Sequence, residues 1–328
     1  MTKDMTQGSP LKLILAFAVP LMLGSLFQQF YNLADTIIVG RFVGVDALAA
    51  VGSVGGLNYL VLGFVNGIAC GFSIPISWTF GAKDYREMRR YTANTVWLSL
   101  FFAVVLTVVT VALTRAVLVW TNTPDNIIDI ADIYIRTIFA GIPFTLLYNV
   151  TSALMRALGD SKRPLYFLLL CTGVNTVLDL LCVAVLRLEV AGAAIATSLS
   201  QLICAAFVLR SLMRRQDEAR LMPAKLRPTP ALVKRMLLLG LPAGLQSVLY
   251  NVTNLYVQKA VNLMGTDTVA AWSIYAKIDG VFWPISNAFG IAIMTFVGQN
   301  YGAQQHARIT SCIRTGLWMD AGFSILFS

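Results

Sequence analysis

The sequence predicts an all-α polytopic membrane protein, and three observations carry that prediction. Of its 328 residues, 57% are hydrophobic and only 12% are charged, against about 25% charged in ordinary soluble domains. The mean hydropathy is +0.71. Long apolar segments alternate with short polar loops, and the pattern of the first segments restarts some 220 residues later.

Eight complete apolar segments cover roughly 11–40, 47–80, 91–119, 128–157, 164–187, 190–213, 231–263 and 268–300, and a ninth begins near 308. Each complete one exceeds the ~20 residues needed to cross a bilayer, so tilt or kinks are expected. Period-2 alternation is absent, which argues against a membrane β-barrel. The first apolar run lacks a small-residue cleavage site and is too long for a signal sequence, so it reads as a retained helix.

The net charge of +9 does not point to nucleic acid, because the basic residues fall in short loops. With a cytoplasmic N-terminus, nineteen of the 25 Lys and Arg residues lie inside and three, Arg41, Arg115 and Arg187, lie outside. That asymmetry sets the orientation as N-in, in a plasma (cell inner) membrane.

The chain repeats. Pro20 and Pro242 match at an offset of 222, as do Ser25 with Ser247 and Tyr31-Asn32-Leu33 with Thr253-Asn254-Leu255. After a one-residue slip, Asp46-Ala47-Leu48-Ala49-Ala50 matches Asp267-Thr268-Val269-Ala270-Ala271, and Gly81-Ala82 matches Gly302-Ala303. Six segments precede the copy, so both halves enter with the same orientation. This is a parallel repeat, one of the architectures of secondary transporters. The expected organisation is an N-lobe over 1–210 with helices 1–6, a cytoplasmic linker over 211–230, and a partial C-lobe over 231–328 with helices 7–8 and the start of 9. Two six-helix lobes related by a parallel pseudo-two-fold are expected in the full-length protein, of which this chain would be a C-terminally truncated portion.

Asp35 is the acid that an apolar segment normally excludes. An ionisable group within a membrane segment costs a few kcal/mol unless it is paired, protonated or facing water. By position alone, an interfacial Asp pointing at outside solvent is the competing reading. Asp179 lies at similar depth before the outside Arg187, and Asn175 shares its helix face four residues earlier. Thr197 follows at similar depth in the next segment, beside Gly192, Ala193, Ala194 and Ala196, which permit close helix packing. Asp35, Asn175, Asp179 and Thr197 could therefore converge on one pocket. Two carboxylates there cannot both stay ionised cheaply, and a proton or a sodium ion would relieve the repulsion. The bland alternative is two unrelated acids bonded to local hydroxyls.

Pro20 interrupts segment 1 and is the candidate helix bend, as a static kink or a hinge. Gln28, Tyr31, Asn32, Lys277 and Asp279 are further candidates for the network or for a substrate-lining role. The second half has no acid equivalent to Asp35. Gly52-Ser53-Val54-Gly55-Gly56 reads as a small-residue contact in segment 2.

Other classes find little support. The five cysteines form no C-x-x-C pair and His306 is the single histidine, so neither a disulfide framework nor a metal cluster is expected. There is no G-x-x-x-x-G-K-[ST], G-x-S-x-G or H-E-x-x-H motif, so neither ATP-driven transport nor an enzyme is expected, and no cofactor beyond a coupling ion.

Together, Val19-Pro20 through Asp35-Thr36-Ile37-Ile38-Val39-Gly40, Met155-Arg156-Ala157-Leu158-Gly159-Asp160-Ser161-Lys162-Arg163-Pro164, Asn175 to Asp179 and Gly192 to Thr197 resemble the MATE (multidrug and toxic compound extrusion) family, most of all its prokaryotic members. The resemblance implies a V-shaped, monomeric antiporter of twelve helices. It would export cationic or amphipathic drugs in exchange for inward H⁺ or Na⁺, with Asp35, Asn175, Asp179 and Thr197 as its cation site. It also implies that Gln28 and Tyr31 belong to that network and that Pro20 marks the bend. Some members carry an acid in segment 7, and here Tyr250 and Asn251 stand in that region. The alternative within the superfold is a flippase for lipid-linked oligosaccharide or polysaccharide, for which several basic residues would be expected in the cavity; only Lys259 and Lys277 qualify.

Overall fold

A computed structural model describes residues 4–215, 220 and 228–327. The described residues form helices and no strands. In a bilayer this is the local solution that satisfies every backbone amide within its own segment. The helices are α1 (Pro10–Phe42), α2 (Val45–Ser53), α3 (Gly55–Gly81), α4 (Tyr85–Trp120), α5 (Ile128–Ala140), α6 (Ile142–Ala157), α7 (Lys162–Asp179), α8 (Glu189–Met213), α9 (Pro230–Leu263), α10 (Thr266–Gly302) and α11 (His306–Phe327). A π-helical turn, Leu180–Val185, extends α7. Six of these helices are long and apolar enough to cross a membrane, and the pair α5 and α6, bent by 45°, makes a seventh. The chain is thus a multi-pass membrane protein.

The nine apolar segments correspond to α1, α2 with α3, α4, α5 with α6, α7 with its π turn, α8, α9, α10 and α11. Three segments are broken in ways that hydropathy does not show. Segment 2 breaks at Val54, and Gly52 and Gly55 there face open space rather than a packed neighbour. The Gly52–Gly56 stretch is therefore a helix break, not the helix contact that its small residues promised. Segment 4 bends at Gly141, where Pro143 opens α6 in its first turn and removes a backbone donor. Segment 5 widens into the π turn.

The repeat is visible in the backbone itself. Gly44 and Gly265, 221 positions apart, both take positive φ (121° and 98°) in front of α2 and α10. Lys83 and Gln304, again 221 apart, both adopt the left-handed conformation (59° and 56°) in the turns after α3 and α10. Two non-glycine residues in that sparsely populated region mark a turn built twice to one plan.

α3 lies at the centre and packs chiefly against α9, with α10 and α6 on its other sides. Small residues make this approach possible, as expected where lipid removes the hydrophobic drive to associate. A Cβ on Gly67 would lie 2.6 Å from the Ala243 carbonyl oxygen, and one on Gly71 would lie 2.5 Å from Gly240 Cα. At these points the two backbones touch. A second apolar cluster joins the first half of α1 (Ile14, Phe17, Ala18) to α10 (Ile285, Phe289, Ala292, Phe296). Pro20 is buried inside an otherwise continuous α1.

The Arg156–Pro164 stretch is a helix-to-helix turn. Gly159 takes φ 79°, and the buried Asp160 accepts from the Arg163 backbone N–H at 3.1 Å and pairs with its guanidinium at 3.4 Å. Asp84 plays the same capping part for α4, accepting from the Glu87 N–H at 2.9 Å. Both acids cap the start of a helix.

Candidate functional site

The segments bring Asp35, Asn175, Asp179 and Thr197 to one place. Tyr31 and Asp35, four residues apart, share a face of α1. The Tyr31 hydroxyl lies 3.0 Å from the Thr197 hydroxyl and so ties α1 to α8. Asn175 and Asp179 are each 1% exposed on α7. With its NH₂ turned toward the carboxylate, Asn175 donates to Asp179 Oδ2 at 2.6 Å, and its carbonyl accepts from the Thr197 N–H at 3.3 Å. Asn175 thus bridges α7 and α8.

The approach of α8 depends on its small residues. A Cβ on Gly192 would sit 3.0 Å from the Cys182 carbonyl, inside the π turn. Ala193, Ala194 and Ala196 are all buried. The π turn begins at Leu180, directly after Asp179. Single π turns in α-helices are often found at functional positions. Here the wider turn is closed by the Leu186 N–H to the Leu181 carbonyl at 2.8 Å and by the Leu188 N–H to the Cys182 carbonyl at 2.9 Å.

Asp35 and Asp179 are within electrostatic reach of each other. Asp35 Oδ1 and Asp179 Oδ1 are both buried without a hydrogen-bond partner among the described residues. Neither carboxylate has an ion pair with Lys or Arg among those residues. The pocket therefore gathers oxygens from two acids, a phenol and an alcohol around the Asn175 amide, whose NH₂ faces Asp179. Such a set suits a proton or a small hard cation, which prefers oxygen ligands.

The structure adds Tyr134, which the sequence reading passed over. It is buried on α5 and within electrostatic reach of both Asp35 and Asp179. Its signal was a polar aromatic at the outer depth of segment 4, obscured by Asp132 and Arg136, which form their own pair at 2.9 Å. The remaining candidates lie elsewhere. Gln28 and Asn32 are exposed, and it is the neighbouring Gln29 that reaches α10, donating to the Gly280 carbonyl at 3.2 Å. Asp279 is half-buried on α10, where it accepts from the Tyr275 hydroxyl at 3.4 Å. The Lys277 side chain lies outside the described residues.

Fold and pocket together define a polytopic helical membrane protein with paired acids embedded in its first half. The MatE family model matches residues 20–181 and 242–328, two stretches whose starts are the repeat partners Pro20 and Pro242. The chain belongs to the MatE family; it is a membrane transporter and not an enzyme. It is 31% identical over 313 residues to the "Probable multidrug resistance protein YoeA" of Bacillus subtilis, covering 93% of this chain and 67% of that one. It is 25% identical over 272 residues to the "Multidrug export protein MepA" of Staphylococcus haemolyticus, covering 83% of this chain and 60% of that one. Among solved structures, the outward-facing conformation of a multidrug resistance MATE family transporter superposes with a TM-score of 0.90 at 24% identity, covering 99% of this chain and 73% of that one. A MOP superfamily transporter from Pyrococcus furiosus superposes with a TM-score of 0.91 at the same 24% identity, covering 99% and 73%. These two show the shared fold.

Proposed function

We propose that the protein is a secondary active antiporter that exports cationic or amphipathic small molecules in exchange for inward H⁺ or Na⁺. Coupling runs through Asp35, Asn175, Asp179 and Thr197, with Tyr31 and Tyr134 completing the pocket. The observation that carries this reading is a pair of membrane-embedded carboxylates, each with a buried oxygen lacking a hydrogen-bond partner among the described residues, one of which, Asp179, is joined through Asn175 to Thr197. The names of the relatives in Bacillus and Staphylococcus support the substrate class.

A bound proton or Na⁺ cancels one of the two negative charges, removes the repulsion between the acids and lets α1, α7 and α8 draw together. Its release restores the repulsion and favours the conformation that accepts a new substrate. A ligand moves such an equilibrium only by its differential affinity for the two states, and a pocket whose net charge changes on binding provides it. The lobes are residues 1–210 and 231–328, joined by a linker over 211–230, of which 216–219 and 221–227 lie outside the described residues. The N-terminus faces the cytoplasm, the host membrane is the plasma membrane, and the unit is a monomer.

The test is ethidium or fluoroquinolone transport by the full-length protein in vesicles, under separately imposed H⁺ and Na⁺ gradients. Wild type should respond to at least one gradient, and Asp35→Asn should lose that response. Equal gradient-driven transport by both would remove Asp35 from the coupling role.

A further inference from the structure

At the end of the molecule that carries the start of α1, a knot of hydrogen bonds gathers around Gln299 and Asn300. Both residues are fully buried near the end of α10. Gln299 accepts from the Met5 N–H at 2.9 Å and donates to the Ala157 carbonyl at 3.0 Å. Asn300 donates to the Met5 carbonyl at 3.0 Å and to the Phe296 carbonyl at 2.8 Å. Arg308 completes the clamp, donating to Asn300 Oδ1 at 3.0 Å, to the Met5 carbonyl at 3.2 Å and to the Gly8 carbonyl at 2.9 Å. The Met5 side chain is fully buried in the α1–α10 cluster.

Two side chains on α10 thus grip both polar groups of one residue in the strap that leads into α1. Gln299 also holds the last residue of α6, which belongs to the first half. Its backbone meets α3 as well: a Cβ on Gly81 would lie 1.9 Å from the Gln299 carbonyl oxygen. The reciprocal contact uses the repeat partners, since a Cβ on Gly302 would lie 1.8 Å from the Trp78 carbonyl oxygen. Trp78 and Gln299 are 221 apart, as are Gly81 and Gly302. The crossing of α3 and α10 therefore sits on the pseudo-two-fold, where the two halves must part if this end is to open.

We propose that Gln299 and Asn300 are the latch of the cytoplasmic gate and that the strap Asp4–Ser9 is the piece they hold. This rests on the transporter reading, because alternating access requires that this end open and close. On opening, Gln299 loses both of its partners, Met5 and Ala157, and Asn300 loses the Met5 carbonyl, and an unpaired buried amide is costly. The knot therefore favours the closed state, and the strap must leave its seat for each opening.

The test places spin labels at Arg86→Cys and Ala307→Cys in the full-length protein in lipid nanodiscs, with the native cysteines replaced by serine. Both positions are exposed on the first turns of α4 and α11 and are repeat partners. Distance distributions are compared for the parent, Gln299→Ala, Met5→Asp and Met5→Leu. Gln299→Ala and Met5→Asp should each raise the ratio of open to closed by ~10-fold, the loss of about one or two buried hydrogen bonds, while Met5→Leu should match the parent. If Gln299→Ala does not fold, Met5→Asp alone decides, since it alters only the strap. A change in melting temperature with no change in the distance distribution would reduce the knot to structural packing and overturn the latch. Ethidium transport is measured in parallel, so a parent that moves no drug but opens on loss of the strap refutes the drug reading and leaves the latch standing.

Discussion

The hydroxyls of Tyr31 and Thr197 meet at 3.0 Å between α1 and α8, at the level of the two carboxylates. In the proposed antiport this contact would carry the state of the pocket to helix 1, because Tyr31 and Asp35 lie on one helix face. Removing the phenol oxygen alone should weaken coupling while leaving both acids in place. For Tyr31→Phe we expect gradient-driven efflux to fall by ~3–10-fold, the equivalent of one hydrogen bond of about 1 kcal/mol. Initial rates in vesicles, with binding of the same drug measured without a gradient, check this; equal losses in both would assign Tyr31 to substrate binding instead.

Asp179 is buried and, among the described residues, has one donor, Asn175. An amide at 179 keeps an acceptor for that donor and removes a charge that burial penalises. Asp179→Asn should therefore not lower the melting temperature in detergent, yet should abolish the response to an ion gradient. A marked loss of stability would mean that the charge is structural.

The pocket was legible in the sequence because its parts obey one-dimensional rules. Asn175 and Asp179 are a helical turn apart, and the Gly-Ala run before Thr197 announces close packing. Counting from the segment ends opposite the N-terminus places Asp35, Asp179 and Thr197 at one depth. Tyr134 was not legible, because nothing in segment 4 reveals the bend at Gly141 that sets which way α5 faces. The π turn after Asp179 also left no trace in a run of apolar residues. The latch was beyond reach for another reason: Gln299 binds Met5 and Ala157, 294 and 142 positions away, and a buried Gln within a segment does not name its partners.

Asn94, buried near the start of α4, accepts from the Thr229 N–H at 2.8 Å, just ahead of α9. It fixes where the second half begins against the first. Asn94→Ala leaves that backbone donor unpaired and should cost ~1–3 kcal/mol. The exposed pair Arg115–Asp129 provides the contrast, with side chains 45% and 79% exposed. Asp129→Ala should change stability by less than ~1 kcal/mol. Thermal unfolding of both variants in one detergent checks the order, and a larger effect at Asp129 would contradict it.

Gly302 and Gly290 lie on one helix in opposite circumstances. A Cβ at 302 would meet the Trp78 carbonyl oxygen at 1.8 Å, whereas a Cβ at 290 would meet nothing within 4 Å. The first clash is with backbone, which cannot rotate away, so α3 and α10 must separate to admit a methyl group. Gly302→Ala should destabilise the closed end by ~1–3 kcal/mol, the usual cost of overpacking. Gly290→Ala should be neutral or stabilise by up to ~1 kcal/mol, since alanine is the better helix former. In spin-labelled protein, Gly302→Ala should open the cytoplasmic end as Gln299→Ala does, and Gly290→Ala should leave it closed. If Gly302→Ala stays closed at unchanged stability, the α3–α10 crossing is not the contact that holds this end shut.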